Sequence, residues 1–297
     1  MDVTIFGHSL RHWLEAGALF SIWGALRLLG VKYASALGGI IARTIGPYLR
    51  GSRRIHDNLA LAMPEIAPQQ RAFIVKQVWE NIGRVFAETP YLVHISNSDN
   101  HITCTGIEHI QNAAKHGKGI IFLGGHHAHW EMMLKGPRAA GLHSHLVYRH
   151  FENKLIEKRI VALRQRAWQL TTVAKNQNAA STIIKSLRSG KPVAMLVDER
   201  DKRGIEAKFF NLPALTSPTP AKLILRYDAP VILGSVTREP GPRFHVTLRP
   251  LEKPPLIGNM EQDIVRLTQA INDFLEACVR ERPGENFMWM KDRWRLF

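Results

Sequence analysis

Cysteine is nearly absent from this chain: there are two in 297 residues. Cys104 and Cys278 stand far apart, which excludes both a disulfide framework and a zinc-finger spacing. They read as buried thiols of a chain kept in a reducing compartment. Acidic residues are scarce as well. The 25 Asp and Glu face 40 Lys and Arg, leaving a net charge of +15 and a pI near 10.2. An excess of that size favours an anionic partner, whether nucleic acid, an acidic membrane surface or a phosphorylated substrate. The Lys/Arg-Gly-Phe pattern of RNA-binding domains is missing, so nucleic acid rests on charge alone and is not expected as a partner. Internal repeats and low-complexity linkers are missing too. Ala16 to Leu29 is mostly apolar but carries Ser21 and Arg27. As a helix it covers about 21 Å of a hydrocarbon core ~30 Å thick. Arg11 and His12 precede it, yet no small-residue cleavage site follows, so it does not read as a signal peptide.

What is present is a globular composition, 45% hydrophobic and 22% charged. The length suffices for one large domain with an appendage. The apolar character of Ala16–Leu29 continues through Val31 to Leu49 with Tyr33, Leu37, Ile40, Ile41 and Ile45. Lys32, Arg43, Arg50, Arg53 and Arg54 are interspersed or flank it. Two readings stand: a pair of core helices, or a helical anchor lying on or partly entering an anionic bilayer. Residues 52 to 95 read as helical, punctuated by Pro64 and Pro68, with a long helix over Gln69–Val93. The best candidate boundaries fall near residues 51 and 96.

Beyond residue 96 the pattern alternates. Strands are expected at Gly119–Leu123, His145–Tyr148, Leu170–Val173, Val193–Val197, Val231–Val236 and Phe244–Leu248. Helices are expected at Ile107–His116, Lys154–Trp168, Ala179–Ser189, Thr219–Tyr227 and Glu261–Val279. Such alternation implies an α/β fold with a mainly parallel or mixed sheet flanked by helices.

The chemistry concentrates in Gly119-Ile-Ile-Phe-Leu-Gly-Gly-His-His-Ala-His-Trp-Glu131. An apolar strand runs into two glycines, which permit a tight turn and close backbone approach. Three histidines and a carboxylate follow at what would be the rim of a sheet, where α/β sites form. His126 and Glu131 are five apart, about 140° around a helix, so one regular helix would not pair them. They meet if His126 lies in the loop and Glu131 in the first turn beyond it. A carboxylate on one imidazole nitrogen fixes the tautomer and frees the other nitrogen as a base. Two other readings compete. The histidines can be satisfied by backbone groups on a strand-to-helix turn. Alternatively, His127-Ala-His129-Trp-Glu131 partly matches the His-x-His-x-Asp-His signature of metal-dependent hydrolases, with Glu for Asp and Met132 for the final His.

Gly125-His126-His127-Ala128-His129-Trp130-Glu131 resembles the Gly-His-Phe-Gly-Asn-Trp-Glu block of the lipid A late acyltransferases. These lauroyl and myristoyl transferases lie within the lysophospholipid acyltransferase superfamily, whose signature is His-x4-Asp/Glu. Further blocks follow in the family's order. They are Arg54 to Pro64 with Asn58-Leu59, Trp79-Glu-Asn-Ile-Gly-Arg84 with Glu88, and Tyr148-Arg149 with Asn153. Then come Val197-Asp-Glu-Arg-Asp201 with Phe209-Phe210 and Pro213, and last Trp289 with Arg293-Trp294. The likeness covers about residues 50 to 295. The chain departs from it where His-Ala-His replaces Phe-Gly-Asn, where Asn211 replaces a Gly after Phe-Phe, and where Glu199 replaces a Gln after Asp.

The resemblance implies an O-acyltransferase acting at the cytoplasmic face of the bacterial inner membrane. An acyl carrier protein, or CoA, brings the fatty acyl thioester. A hydroxyl of an anionic glycolipid, a lipid A precursor, accepts it. His126 is then the general base and Glu131 its orienting carboxylate, with no acyl-enzyme, metal or other cofactor required. Arg149, Glu199 and Arg200 become substrate-binding candidates, each with an ordinary ion pair or structural turn as its alternative. Phe209, Phe210 and the C-terminal tryptophans read first as packing. Residues 1–50 form the membrane-associating segment and residues 51–297 the acyltransferase domain. The alternatives carried forward are acylation of another membrane lipid, such as a lysophospholipid or aminolipid, and a metal-dependent hydrolase using His127 and His129.

Overall fold

The computed structural model describes residues 4–5, 8–176 and 178–294. Thr4–Ile5 (β1) and His8–Ser9 (β2) form a short antiparallel pair. Helix α1 (Leu10–Leu28) starts at Ser9, whose hydroxyl accepts the His12 N–H, as an N-cap does. Gly30 turns the chain in the left-handed region (φ 75°) into α2 (Gly30–Ile45). A tight turn at Gly46–Tyr48 leads to α3 (Arg50–Ala62), then α4 (Pro68–Glu88) and α5 (Leu92–Ser96). The long helix expected to reach Val93 stops at Glu88. Pro90 lies two residues further on, and a proline can neither donate to nor fit inside a continuing helix.

The remainder alternates as expected, with three strands that the pattern had not shown. The order is β3 (Ile102–Thr105), α6 (Ile107–Ala114), β4 (Ile121–Gly124), α7 (Lys135–Ala139), β5 (His145–Tyr148), α8 (Lys154–Trp168), β6 (Thr171–Ala174), α9 (Ala179–Arg188) and β7 (Val193–Leu196). Then follow β8 (Ile205–Phe209), β9 (Leu212–Thr216), α10 (Thr219–Tyr227), β10 (Val231–Glu239), β11 (Arg243–Pro250) and α11 (Met260–Glu281). A seven-stranded sheet has the order β3-β11-β10-β4-β7-β5-β6. Its neighbours are parallel except for the β10–β11 hairpin.

Alternate residues of the central strands feed two cores, because successive side chains of a strand point to opposite faces. Ile121, Leu123, Val193, Met195, Val231 and Leu233 pack toward α9, α10, α11, α3 and α4. Ile120, Phe122, Ala194, Ile232, Phe244 and Val246 pack toward α5, α6 and α8. Helix α2 lies directly on α4. A Cβ at Gly38 would stand 2.5 Å from the Gly83 carbonyl oxygen, so only glycine permits this approach. The contact is tied by Glu88, fully buried on α4. It accepts from Ser35 of α2 at 2.6 Å and from Arg238 of β10 at 2.6 and 2.9 Å. Both cysteines are free and only partly buried, and burial raises each thiol to about 11.

The β8–β9 hairpin turns through Phe210 and Asn211, each at φ 57°. Two left-handed residues in a two-residue loop match the twist of the flanking strands. This explains Asn211 where the resembled family has Gly: Asn is the side chain that best tolerates that region. Phe210 is held there by Trp289 and Trp294 and by the Arg280 guanidinium 4.4 Å from its ring centroid. The Phe209–Phe210 pair and the C-terminal tryptophans are therefore packing, as expected. Arg293 is fully buried among them and donates to the Leu215 carbonyl and Thr216 hydroxyl.

Candidate active site

Strands β4 and β7 are parallel neighbours with Gly124 opposite Leu196. The pairing continues one residue further, where the Val197 N–H donates to the Gly124 carbonyl at 3.0 Å. In that register, the second residue past each strand end also falls side by side. These residues are His126 and Asp198. From β4 the chain crosses to β5, and from β7 it returns toward β10, in opposite directions along the sheet. Both loops leave from the carboxyl ends of the two strands, the edge where α/β folds place their sites.

The two side chains meet at that edge. His126 Nδ1 lies 2.7 Å from Asp198 Oδ1, and the His126 backbone N–H donates to Asp198 Oδ2, also at 2.7 Å. Asp198 is 1% exposed, whereas the His126 ring keeps 27% exposure. Burial works against a charged imidazole, but the charge and hydrogen bond of Asp198 outweigh it, and the His126 pKa lies above its ordinary value. Burial likewise works against the Asp198 carboxylate, and His126 overrides it, holding Asp198 down at about 2. Asp198 is thus ionised at neutral pH and accepts the Nδ1 proton, which leaves Nε2 as the basic nitrogen. Gly125 makes room for this: a Cβ there would lie 2.7 Å from His127 Nε2 and 3.1 Å from Asp198 Oδ2.

The orienting carboxylate expected from the sequence was Glu131, and the structure corrects that assignment. Glu131 sits in the tight turn Trp130–Leu134 and faces α8, where its Oε1 accepts from Arg164 Nε at 3.0 Å and Nη2 at 2.9 Å. Both members of this pair are almost fully buried. The five-residue spacing brings Glu131 into the same neighbourhood, but the strand register delivers Asp198 directly onto the imidazole. Arg164 stacks over Trp130, with 5.1 Å from guanidinium to ring, and Trp130 in turn meets the His126 ring edge-on at 5.8 Å. Glu131 therefore reaches His126 only through Arg164 and Trp130.

The loop carrying His126 is pinned from the far side. Residues 126–128 pair with the C-terminal segment through Ala128 N–H to the Glu285 carbonyl and Phe287 N–H to the His126 carbonyl. Asn81 of α4 donates to both the Ala128 and Glu285 carbonyls. This accounts for the left-handed Ala128 (φ 46°) and gives the Trp79–Arg84 block a positioning role.

The other histidines do not join His126. His127 Nδ1 faces Asn286 at 3.1 Å, and burial lowers its pKa to about 4. His129 packs edge-on against Phe244, and its pKa is also lowered by burial. Among the described residues no group of three His, Cys, Asp or Glu is placed to hold one metal ion.

A cavity of about 310 Å³ opens beside His126. Trp130, Tyr148, Arg149, Arg164, Glu199 and Lys291 line it. Arg149 and Glu199 therefore line the same cavity as His126, with Glu199 3.5 Å from Lys291. Arg200 is not in this cavity but in an adjoining one. The sequence reading missed Asp198 as the partner of His126, and it missed Arg164 altogether. Asp198 carried a signal, since it follows the apolar run of β7 just as His126 follows that of β4.

The chain matches the sequence model of the bacterial lipid A biosynthesis acyltransferases over residues 4–296. The chain belongs to this family. Among curated relatives it is similar to the lipid A biosynthesis lauroyltransferase of Escherichia coli (strain K12), with 24% identity over 96% of this chain and 92% of the relative. As a family member it is an acyltransferase of lipid A biosynthesis, and the resemblance read from its motifs extends over nearly the whole chain.

Proposed function

We propose that the enzyme moves a fatty acyl group from a thioester, carried by acyl carrier protein or CoA, to a hydroxyl of a lipid A precursor. His126 Nε2 removes the hydroxyl proton and the oxygen attacks the thioester carbonyl. The tetrahedral intermediate collapses to the ester, and the sulfur leaves as a thiol, taking the proton back from His126. Asp198 holds the tautomer and stabilises the imidazolium. Arg164, fixed by Glu131 in the wall of the cavity, supplies positive charge for the developing oxyanion. The observation that carries this reading is the 2.7 Å contact between His126 and Asp198 at the mouth of a cavity.

The membrane reading is part of the same proposal. No helix of the described residues is long and apolar enough to cross a bilayer. Yet α2 exposes Tyr33, Leu37, Ile40, Ile41 and Ile45, and α1 exposes Leu14, Ile22 and Leu28. Alongside them stand Arg27, Lys32 and Arg43. An apolar face with basic neighbours suits residues 1–50 to lie on the anionic cytoplasmic leaflet of the inner membrane.

The test is His126→Ala in purified enzyme and in cells. Transfer from acyl thioester to lipid A precursor should be abolished with the fold intact. The lipid A of the variant strain should be lighter by one ester-linked acyl chain. Unchanged lipid A beside an altered phospholipid or aminolipid profile would move the assignment to another acceptor.

A further inference from the structure

A second bay of about 570 Å³ adjoins the His126 cavity. The two share Val147, Arg149, Lys175, Leu196 and Glu199, so one molecule can extend from one into the other. Five cations line this bay: Arg149 after β5, Lys175 after β6, and Arg200, Lys202 and Arg203 after β7. All stand at the carboxyl edge of the sheet because each follows a parallel strand. Only two acids line it. Glu199 faces Lys291 at 3.5 Å, and the Asp201 side chain accepts the Arg203 backbone N–H at 3.0 Å.

Several arginines elsewhere among the described residues are matched to carboxylates, among them Arg43, Arg84, Arg164, Arg238, Arg280 and Arg282, while others on the surface, such as Arg188 and Arg266, are not. Among the described residues none of the five bay cations has such an ion pair. Moreover, Arg200 Nε is buried with no hydrogen-bond partner. A buried donor left unmatched costs free energy that an incoming acceptor would recover. Crowded like charges are likewise relieved by a multivalent anion, and guanidinium groups fit phosphate oxygens bidentately.

We propose that this bay binds a phosphate ester, with Lys175, Arg200, Lys202 and Arg203 as its recognition residues, while the reacting end of the same molecule lies at His126. The site deepens the acyltransferase reading and rests on it for the identity of that molecule. Two sources present the same chemistry: a phosphate on the glycolipid acceptor, and the phosphodiester of the pantetheine arm that carries the acyl group.

The test compares the wild type with Lys175→Ala and with Lys202→Ala/Arg203→Ala. These three side chains are exposed, so the fold should tolerate their loss. Calorimetric titration with inorganic pyrophosphate should show about tenfold weaker binding for each lost charge-assisted contact. The kinetic arms identify the source. A KM rise of that size for phosphorylated acceptor, absent for dephosphorylated acceptor, assigns the bay to the acceptor. A rise for acyl carrier protein thioester, absent for an acyl-N-acetylcysteamine thioester, assigns it to the donor. Pyrophosphate binding that is equal in all three proteins, with neither KM moved, overturns the proposal. Failure of the acyltransferase reading looks different: the wild type would bind pyrophosphate but transfer no acyl group.

Discussion

In the proposed mechanism a single histidine acts as a base through what faces its other nitrogen, and that partner comes from a distant strand end. The sequence showed His126 and a carboxylate five residues on, and local spacing made Glu131 the natural partner. Asp198 lies 72 residues away and is joined to His126 only by the β4–β7 register, which no local pattern reveals. The two carboxylates should therefore separate in experiment. Glu131→Gln removes the charge that holds Arg164 and leaves the Asp198 contact intact. It should lower transfer by about 10²-fold, within the range of one lost electrostatic stabiliser, while the acid limb of the pH–rate profile stays in place. A shifted limb in that variant would return Glu131 to the imidazole.

At the scale of elements, helices and buried strands were legible because their apolar periods are long. The strands that escaped notice have specific reasons. Ile102–Thr105 alternates weakly, as Ile-Thr-Cys-Thr, and sits at the sheet edge, where half its neighbours are solvent. The β8 stretch Ile-Glu-Ala-Lys-Phe does alternate, but its turn is Phe-Asn rather than a glycine pair, and Pro213 interrupts the partner strand. Helix contacts were invisible for a different reason: Gly38 and Gly83 matter only once α2 is laid on α4. A Gly83→Ala change in an isolated helix would gain about 1 kcal/mol from propensity. Here its Cβ would fall 2.1 Å from the Gly38 carbonyl oxygen and 2.5 Å from the Ala42 Cβ. Overpacking of about 1–3 kcal/mol should win, so denaturant unfolding should show a less stable protein. A stabilised variant would mean that α2 does not rest on α4 as described.

At the scale of the whole molecule, charge and surface act together. The sheet's carboxyl edge carries His126 and two connected cavities, and α1 and α2 expose an apolar surface beside basic residues. The composition announced an anionic partner, but not where the charges stand. If the exposed face of α2 is the membrane contact, Ile40→Asp/Ile41→Asp should lose flotation with vesicles containing anionic lipid. Both residues point outward, so their replacement should leave the unfolding midpoint nearly unchanged. Flotation equal to the wild type would place the membrane contact on another surface.

The most direct test of the His126–Asp198 pair is the pH dependence of kcat/KM for the wild type and Asp198→Asn, each checked for native fold. The base must be neutral to work, so the rate should fall as pH drops through the His126 pKa, which Asp198 holds above the ordinary 6.5. Asparagine removes the charge that raises it. The acid limb should then move to lower pH, and the plateau should drop by roughly 10²–10⁴-fold as base assistance is lost. A variant with a near-wild-type plateau and an unmoved acid limb would contradict the account.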